Sequence, residues 1–308
     1  MTIAAVGGAG PDPRLKGIGL MLIAGVFFAG LDTCAKLLGA TLPAVEVAWL
    51  RYVVHIGLTV IVLRPWRVPA LLRTNRLGLQ IVRSICLLGS TFFNFLALQH
   101  LQIAETTAIN FACPLVITAL AGPMLGEWAG RRRWIAVGVG FIGVLIVIRP
   151  GSGALAFEAI YSLCSMLCNA VYAIYTRRLA ATESAQGMLL YSAMVGAIVL
   201  IPALPAVWVP PSGVEAWILI AVLGATGGIG HFCLIRAHGF ATASLLAPFG
   251  YGQIIWAVAS SILVFSQDPK MTTVVGAAII IASGIYILHR EKLVGGRKSA
   301  PRVDGKTR

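Results

Sequence analysis

The sequence predicts an all-α polytopic membrane protein: ten transmembrane helices in two inverted five-helix repeats, with both termini cytosolic. Three observations predict it. Charged residues make up 11% of the 308 residues, hydrophobic ones 58%, and mean hydropathy is +0.88. Soluble domains run near 25% charged, so too few charges are present to clothe a water-facing surface. Apolar runs long enough to cross a bilayer recur along the whole chain. The second half of the chain also repeats the first. Together these exclude a soluble enzyme, a secreted disulfide scaffold and a nucleic-acid-binding protein, although the net charge is +13. The basic residues fall between apolar runs, which is the pattern of membrane orientation rather than of phosphate binding.

The elements follow in order. Residues 1–16 form a cytosolic segment in which Arg14 and Lys16 precede an uncleaved first span, Gly17–Gly39. Pro43–Leu63, Leu77–Leu98, Ala104–Leu125 and Arg133–Ile148 complete a first repeat over 17–149. The breaker Arg149-Pro150-Gly151 opens a second repeat over 150–290. Its spans are Leu155–Thr176, Gln186–Leu204, Val214–Ile235, Ala243–Phe265 and Thr272–Leu288. Residues 291–308 read as a basic, disordered cytosolic tail. The six cysteines all fall in apolar runs with no zinc-type spacing, so no metal is expected. No Gly-rich phosphate loop with its lysine appears, so neither ATP nor another cofactor is expected.

Charge sets the orientation. Arg14, Lys16, Arg64, Arg67, Arg73, Arg76, Arg131–Arg133, Arg177, Arg178, Arg236, Arg290 and six tail residues all fall on one side when spans alternate. The opposite loops hold only Arg149 and Lys270. By the positive-inside rule the basic side is cytosolic.

Ala29–Arg51 aligns with Ala170–Ser192, placing Lys36 on Arg177 and Thr41 on Thr182. Trp134–Gly143 aligns with Val275–Gly284 at the same offset, and Ala104–Leu120 with Ala241–Ala257. Each unit holds five spans, and an odd number inverts the second copy in the membrane. The loops exchange charge accordingly. The 2–3 loop has four arginines and its counterpart, 205–213, none; the 1–2 loop has none and its counterpart has Arg177 and Arg178.

Several segments carry a family resemblance: "FFAGLDTCAKLLG", "PAVEVAWLRY", "ALQHLQIAETTAINFACPLVITALAGPMLGEW" and "RRWIAVGVGFIGVLIVIRPG", then "ASLLAPFGYGQIIWAVASSILVF" and "GAAIIIASGIYILHRE". Over nearly its whole length the chain resembles EamA-type members of the drug/metabolite transporter superfamily. It is most similar in flavour to bacterial uptake carriers for S-adenosylmethionine or riboflavin. The resemblance implies helices around a central cavity and alternating access for a small organic metabolite in a bacterial-type inner membrane. Export of amino acids or drug-like metabolites is the alternative it leaves open. The second copy departs from the pattern: Gly126-Glu127 is replaced by Phe265-Ser266-Gln267-Asp268.

Polar residues inside the spans are the candidate site, because a charge at the bilayer centre costs about 2.5–3.5 kcal/mol on insertion scales. Asp32 and Lys36 are one helical turn apart and are expected to pair or to face the solute. Glu46 sits a turn in from Pro43 and can reach the outer interface, whereas Arg51 lies deeper, with His55 a turn beyond. Arg83 is expected to snorkel to the inner headgroups. Asn94, Asn110, Asn169 and Gln253 are suited to interhelical hydrogen bonds or to solute contact. Phe92, Tyr172, Tyr251 and Trp256 can stack on a flat ring, and His231 can relay a proton or simply pack.

Pro114 and Pro248 are expected to bend equivalent helices, and Gly224 and Gly228 to let helices approach closely. Asp32, Glu46 and Glu158 lie in three different spans, with no paired-carboxylate motif to suggest a membrane-embedded enzyme. The expected partners are therefore a small-molecule substrate and the lipid bilayer. Proton coupling, counter-solute exchange and oligomeric state stay open.

Overall fold

The computed structural model describes residues 13–126, 128, 130–150, 155–180, 182–240, 246 and 249–298, and every regular element among them is helical. In lipid a spanning segment must satisfy its own backbone hydrogen bonds, which a helix does. In chain order the helices are α1 (Pro13–Leu38), α2 (Ala44–Leu63), α3 (Leu77–His100) and α4 (Ile103–Asn110, then Cys113–Leu125). They continue with α5 (Arg131–Ile148), α6 (Leu155–Leu179), α7 (Ala185–Leu200), α8 (Gly213–Phe240), α9 (Gln253–Leu263) and α10 (Met271–Lys298). Eight are long and apolar enough to cross a membrane. The other two are α5, which starts on Arg131-Arg132-Arg133, and α9, which has 11 residues.

Two elements differ from the sequence expectation. The last helix runs on to Lys298 instead of stopping near Leu288. Arg290, Glu291, Lys292 and Leu293 are good helix formers, and after Gly284 the next glycines come only at Gly295-Gly296. The fourth span breaks at Phe111–Ala112, with Pro114 in the first turn of its second half. Proline lacks the N–H that an unbroken helix would need there, whereas a first turn leaves that group unused anyway. The chain turns again at Tyr251–Gly252, just before α9. Pro248 lies outside the described residues.

The principal contacts join one half of the chain to the other. Phe27 and Phe28 of α1 pack on Gly230 of α8, and Leu31 on Gly227. Gly89 of α3 packs on Cys168 of α6, and Ser90 meets Ser165. Gly140 of α5 faces Ser283 of α10, and Gly143 faces Gly276. Trp49 Nε1 of α2 donates to Ala197 O of α7 (3.0 Å), while Tyr52 covers Gly196. Ala104 N of α4 donates to Ser261 Oγ of α9 (3.4 Å), and Phe111 meets Tyr251. In each pair the numbers rise on one helix as they fall on the other, so the partners are antiparallel.

The two ends of the bundle are chemically unlike. At one end the 2–3 connection, with Arg64, Arg67, Arg73 and Arg76, is tied to the 6–7 connection. Tyr191 Oη donates to Leu72 O (2.7 Å) and Asn75 N to Glu183 Oε1 (3.2 Å). At the other end Glu105 is met by Lys270 (3.1 Å) and Arg149 (3.6 Å), and His100 by Glu158 (3.6 Å). Between the ends, Ile61, Val62, Phe141, Ile142 and Leu263 stand exposed. An apolar belt of this kind on the outside of a bundle is suited to lipid.

Candidate functional site

A chain of polar side chains crosses four helices in the interior. Asp32 of α1 accepts at Oδ1 from Asn94 Nδ2 of α3 (2.9 Å). Asn94 Oδ1 in turn accepts from Asn110 Nδ2 of α4 (3.3 Å), which also donates to Thr106 O (3.0 Å). Ser165 Oγ of α6 lies 3.4 Å from Asn110 Oδ1 and donates to Ser90 O at 2.9 Å. Asn110 is the last residue before the α4 break. The interruption therefore leaves a side-chain amide poised where the helix ends. Membrane carriers build solute sites at such discontinuities, because irregular backbone there lines a cavity rather than lipid.

A second cluster lies one turn away on the same face of α3. Arg51 of α2 is 2% exposed, and its Nη1 donates to Thr91 Oγ1 (3.0 Å), which also meets Tyr52 Oη (3.1 Å). Arg51 Nη2 lies 3.4 Å from His231 Nε2 of α8, and its guanidinium sits over the Tyr52 ring at 4.7 Å. The His55 and His231 rings are parallel, 6.3 Å between centroids, and the edge of Phe28 meets His231 at 5.1 Å. Glycines shape this cluster: a Cβ at Gly227 would stand 3.2 Å from Arg51 Nε, and one at Gly228 3.3 Å from the His55 ring. Gly224 packs on Val54, so the Gly224/Gly228 spacing does bring α8 close against α2. Thr91 and Asn94 are three residues apart on one face of α3, and they join the Arg51 cluster to the Asp32 chain.

Three placements correct the sequence reading. Asp32 and Lys36 do not pair. Lys36 Nζ donates to Leu98 O (3.0 Å) and Leu101 O and sits over the Phe265 ring at 5.4 Å. The last carbonyls of α3 are unsatisfied and carry the negative end of its dipole, so they compete well for an ammonium. Arg83 does not snorkel. It is 2% exposed and donates to Met188 O, Ser192 Oγ (2.8 Å) and Thr176 Oγ1 (3.3 Å), with Tyr172 beneath it at 5.1 Å. Three partners inside the bundle hold its two terminal nitrogens, while its Nε, like that of Arg51, has none among the described residues. Glu46 does not reach the surface: it is fully buried and accepts from Val209 N (2.9 Å).

The remaining candidates are scattered. Asn169 Nδ2 faces Cys113 Sγ (3.6 Å), and Phe92 packs on Phe93 (5.4 Å). Gln253 lies with its backbone against Gly25, and Trp256 is 46% exposed on the same helix as Ile255. Two cavities, of about 550 Å³ between α5 and α10 and about 380 Å³ between α2, α7 and α8, lie away from the polar chain. Thr91, Ser90 and Ser165 carry no signal in the sequence beyond being small polar residues in apolar runs. His55 was visible there only as a neighbour of Arg51 on its helical face.

Comparison with known proteins supplies an independent view. The profile of the EamA-like transporter family matches residues 15–149 and 156–289. The S-adenosylmethionine uptake transporter of Rickettsia conorii is 32% identical over 288 residues, covering 92% of this chain and 96% of the relative. The riboflavin transporter of Vibrio cholerae is 27% identical over 281 residues, 90% of this chain and 94% of the relative. One solved crystal structure superposes with a TM-score of 0.58 at 18% identity, covering 94% of this chain and 99% of that one, which speaks to the fold alone.

Proposed function

The chain belongs to the EamA-like transporter family, and from that premise we propose that it is a secondary carrier for uptake of an S-adenosylmethionine-like solute. It works by alternating access, without ATP, in a bacterial-type inner membrane. Ten spans in two inverted repeats, 17–149 and 150–290, complete the proposed architecture, with both termini cytosolic. The antiparallel pairing of α2 with α7, α4 with α9 and α5 with α10 supports the inversion. A two-fold axis in the membrane plane makes each helix antiparallel to its own counterpart. The arginine-rich end supports the orientation.

One observation carries the choice of solute: an acidic and a basic side chain, Asp32 and Arg51, are buried against one face of α3, at Asn94 and Thr91, yet form no ion pair with each other. A pair kept apart at a cost in hydrophobic surroundings is suited to a solute that brings charges of its own. S-adenosylmethionine does so; riboflavin, the solute in the name of the Vibrio cholerae relative, is an uncharged flavin. Asn94, Asn110 and His231 are the proposed lining residues nearest the two charges. Phe92, Asn169, Tyr172, Tyr251, Gln253 and Trp256 are proposed for the wider cavity.

Counterflow in proteoliposomes tests the reading. Vesicles preloaded with unlabelled S-adenosylmethionine should accumulate the labelled compound transiently, faster than empty vesicles, and riboflavin should not compete. A channel gives no acceleration. Counterflow with riboflavin but not with S-adenosylmethionine would replace this solute by the flavin.

A further inference from the structure

Arg51 places a guanidinium inside an apolar bundle, and among the described residues its hydrogen-bond partners are Thr91 and His231, neither of them a carboxylate. Among the described residues its Nε has no acceptor, and neither ring nitrogen of His55, one turn along the same face, has a partner although both are buried. Buried polar groups are normally satisfied, and buried charges paired, so orphaned donors gathered around one guanidinium describe a place for an anion. Planar, forked N–H donors favour a carboxylate, which accepts two of them at once. On the same face of α3, Asp32 is 8% exposed and held by Asn94. Thr91 and Asn94, which touch the two charges, are three residues apart, so the sites are offset by about 4.5 Å along the helix axis.

We infer that these two poles read a zwitterion: Arg51 with His55 and His231 takes the carboxylate, and Asp32 with Asn94 takes the ammonium, of an α-amino-acid head on the carried solute. An α-amino acid bears its ammonium and carboxylate on one carbon. With a hydrogen bond of about 2.8 Å on each side, the head suits groups held farther apart than a direct ion pair. Glycines at 227 and 228 leave the guanidinium and the imidazole lying directly against α8. A conformational shift of α8 against α2 therefore opens or closes the carboxylate pole. The inference rests on the S-adenosylmethionine reading above and goes beyond it by saying which part of the solute is recognised and by which residues.

The test is competition against labelled S-adenosylmethionine counterflow in proteoliposomes of the full chain. S-adenosylhomocysteine keeps the amino-acid head, decarboxylated S-adenosylmethionine lacks only the carboxylate, and 5′-methylthioadenosine lacks the whole head. The first should compete within a few-fold of S-adenosylmethionine, and the other two about ten- to a hundredfold more weakly. In Arg51→Gln the preference for the carboxylate over its decarboxylated analogue should collapse toward unity. In Arg51→Lys, which keeps the charge, part of the preference should remain. Equal competition by the decarboxylated compound in the unmodified protein overturns the inference whether or not either variant folds. So does undiminished discrimination in a folded Arg51→Gln. Absence of any S-adenosylmethionine counterflow overturns the transport reading and this inference with it, so the two failures are distinguishable.

Discussion

The Phe111 and Tyr251 rings meet edge to face, 5.1 Å between centroids with their planes at 84°, at the two points where the helical backbone is interrupted. One interruption lies in each half of the chain, and their aromatic side chains are in direct contact. A change of angle at either break must move the other ring, so the contact is a mechanical link between the halves. Hinge residues in carriers are of this type: element-terminal positions that absorb backbone rotation.

The Tyr251 hydroxyl is buried without a hydrogen-bond partner among the described residues and presses against Gly284 of α10. An unsatisfied buried hydroxyl costs about 1–3 kcal/mol, so removing it should help. Tyr251→Phe is expected to raise the thermal unfolding midpoint in detergent while keeping the edge-to-face packing. Gly284→Val, which fills the space the hydroxyl occupies, is expected to lower it. A lower midpoint in Tyr251→Phe would mean that the hydroxyl has a partner in solution.

Eight of the apolar helices and the arginine-rich end were legible because both are written in composition: lipid demands long apolar runs, and loop arginines stand out against them. The two-unit organisation was legible as well, and the family profile matches twice, over 15–149 and 156–289. Partner choice was not. Asp32 and Lys36 have the spacing of an ion pair, but Leu98 O and Leu101 O compete for the lysine, and those carbonyls belong to a helix more than sixty residues away. Arg83 has the depth of a snorkelling side chain, yet Met188 O and Ser192, brought by α7, satisfy it inside. Sequence spacing describes one helix, whereas these outcomes are decided by what a second helix presents.

Arg83 and Arg51 occupy comparable places, between α3 and α7 and between α2 and α8, but their partners separate their roles. Arg83 donates to Met188 O, Ser192 Oγ and Thr176 Oγ1, joining three helices. Arg83→Ala should cost about 2–4 kcal/mol of stability by leaving those acceptors unpaired. Folded Arg83→Ala protein should keep the wild-type ranking of competing solutes, unlike Arg51→Gln. Thermal unfolding and counterflow competition on the same preparation separate the two effects.

At the end of the bundle opposite the arginines, Glu105 is 5% exposed and is shared by Lys270 and Arg149, each about one third exposed. It also caps its own helix, accepting from Gln102 N at 3.2 Å. The contacts close α4 against the connection before α10. Glu105→Gln keeps the cap and removes the charge, weakening the closure by about 1 kcal/mol after discounting for solvent. In a background lacking the native cysteines, Ser261→Cys beneath this closure should then react about fivefold faster with a membrane-impermeant maleimide. An unchanged rate would show that the ion pairs do not hold this end shut.

Gly143 and Gly276 bring the backbones of α5 and α10 into contact. A Cβ at Gly276 would stand 2.6 Å from Gly143 O, and one at Gly143 2.9 Å from Gly276 O. Backbone cannot move aside as a flexible side chain can, so either alanine must push the helices apart. Overpacking of this kind costs about 1–3 kcal/mol. Gly138, on the same helix as Gly143, has nothing within 4 Å of its would-be Cβ. Alanine there gains the helix-propensity difference of up to about 1 kcal/mol. Gly143→Ala and Gly276→Ala should therefore lower the unfolding midpoint while Gly138→Ala holds or raises it. The double variant should lose less than the sum of its parts, because one separation of the helices relieves both clashes.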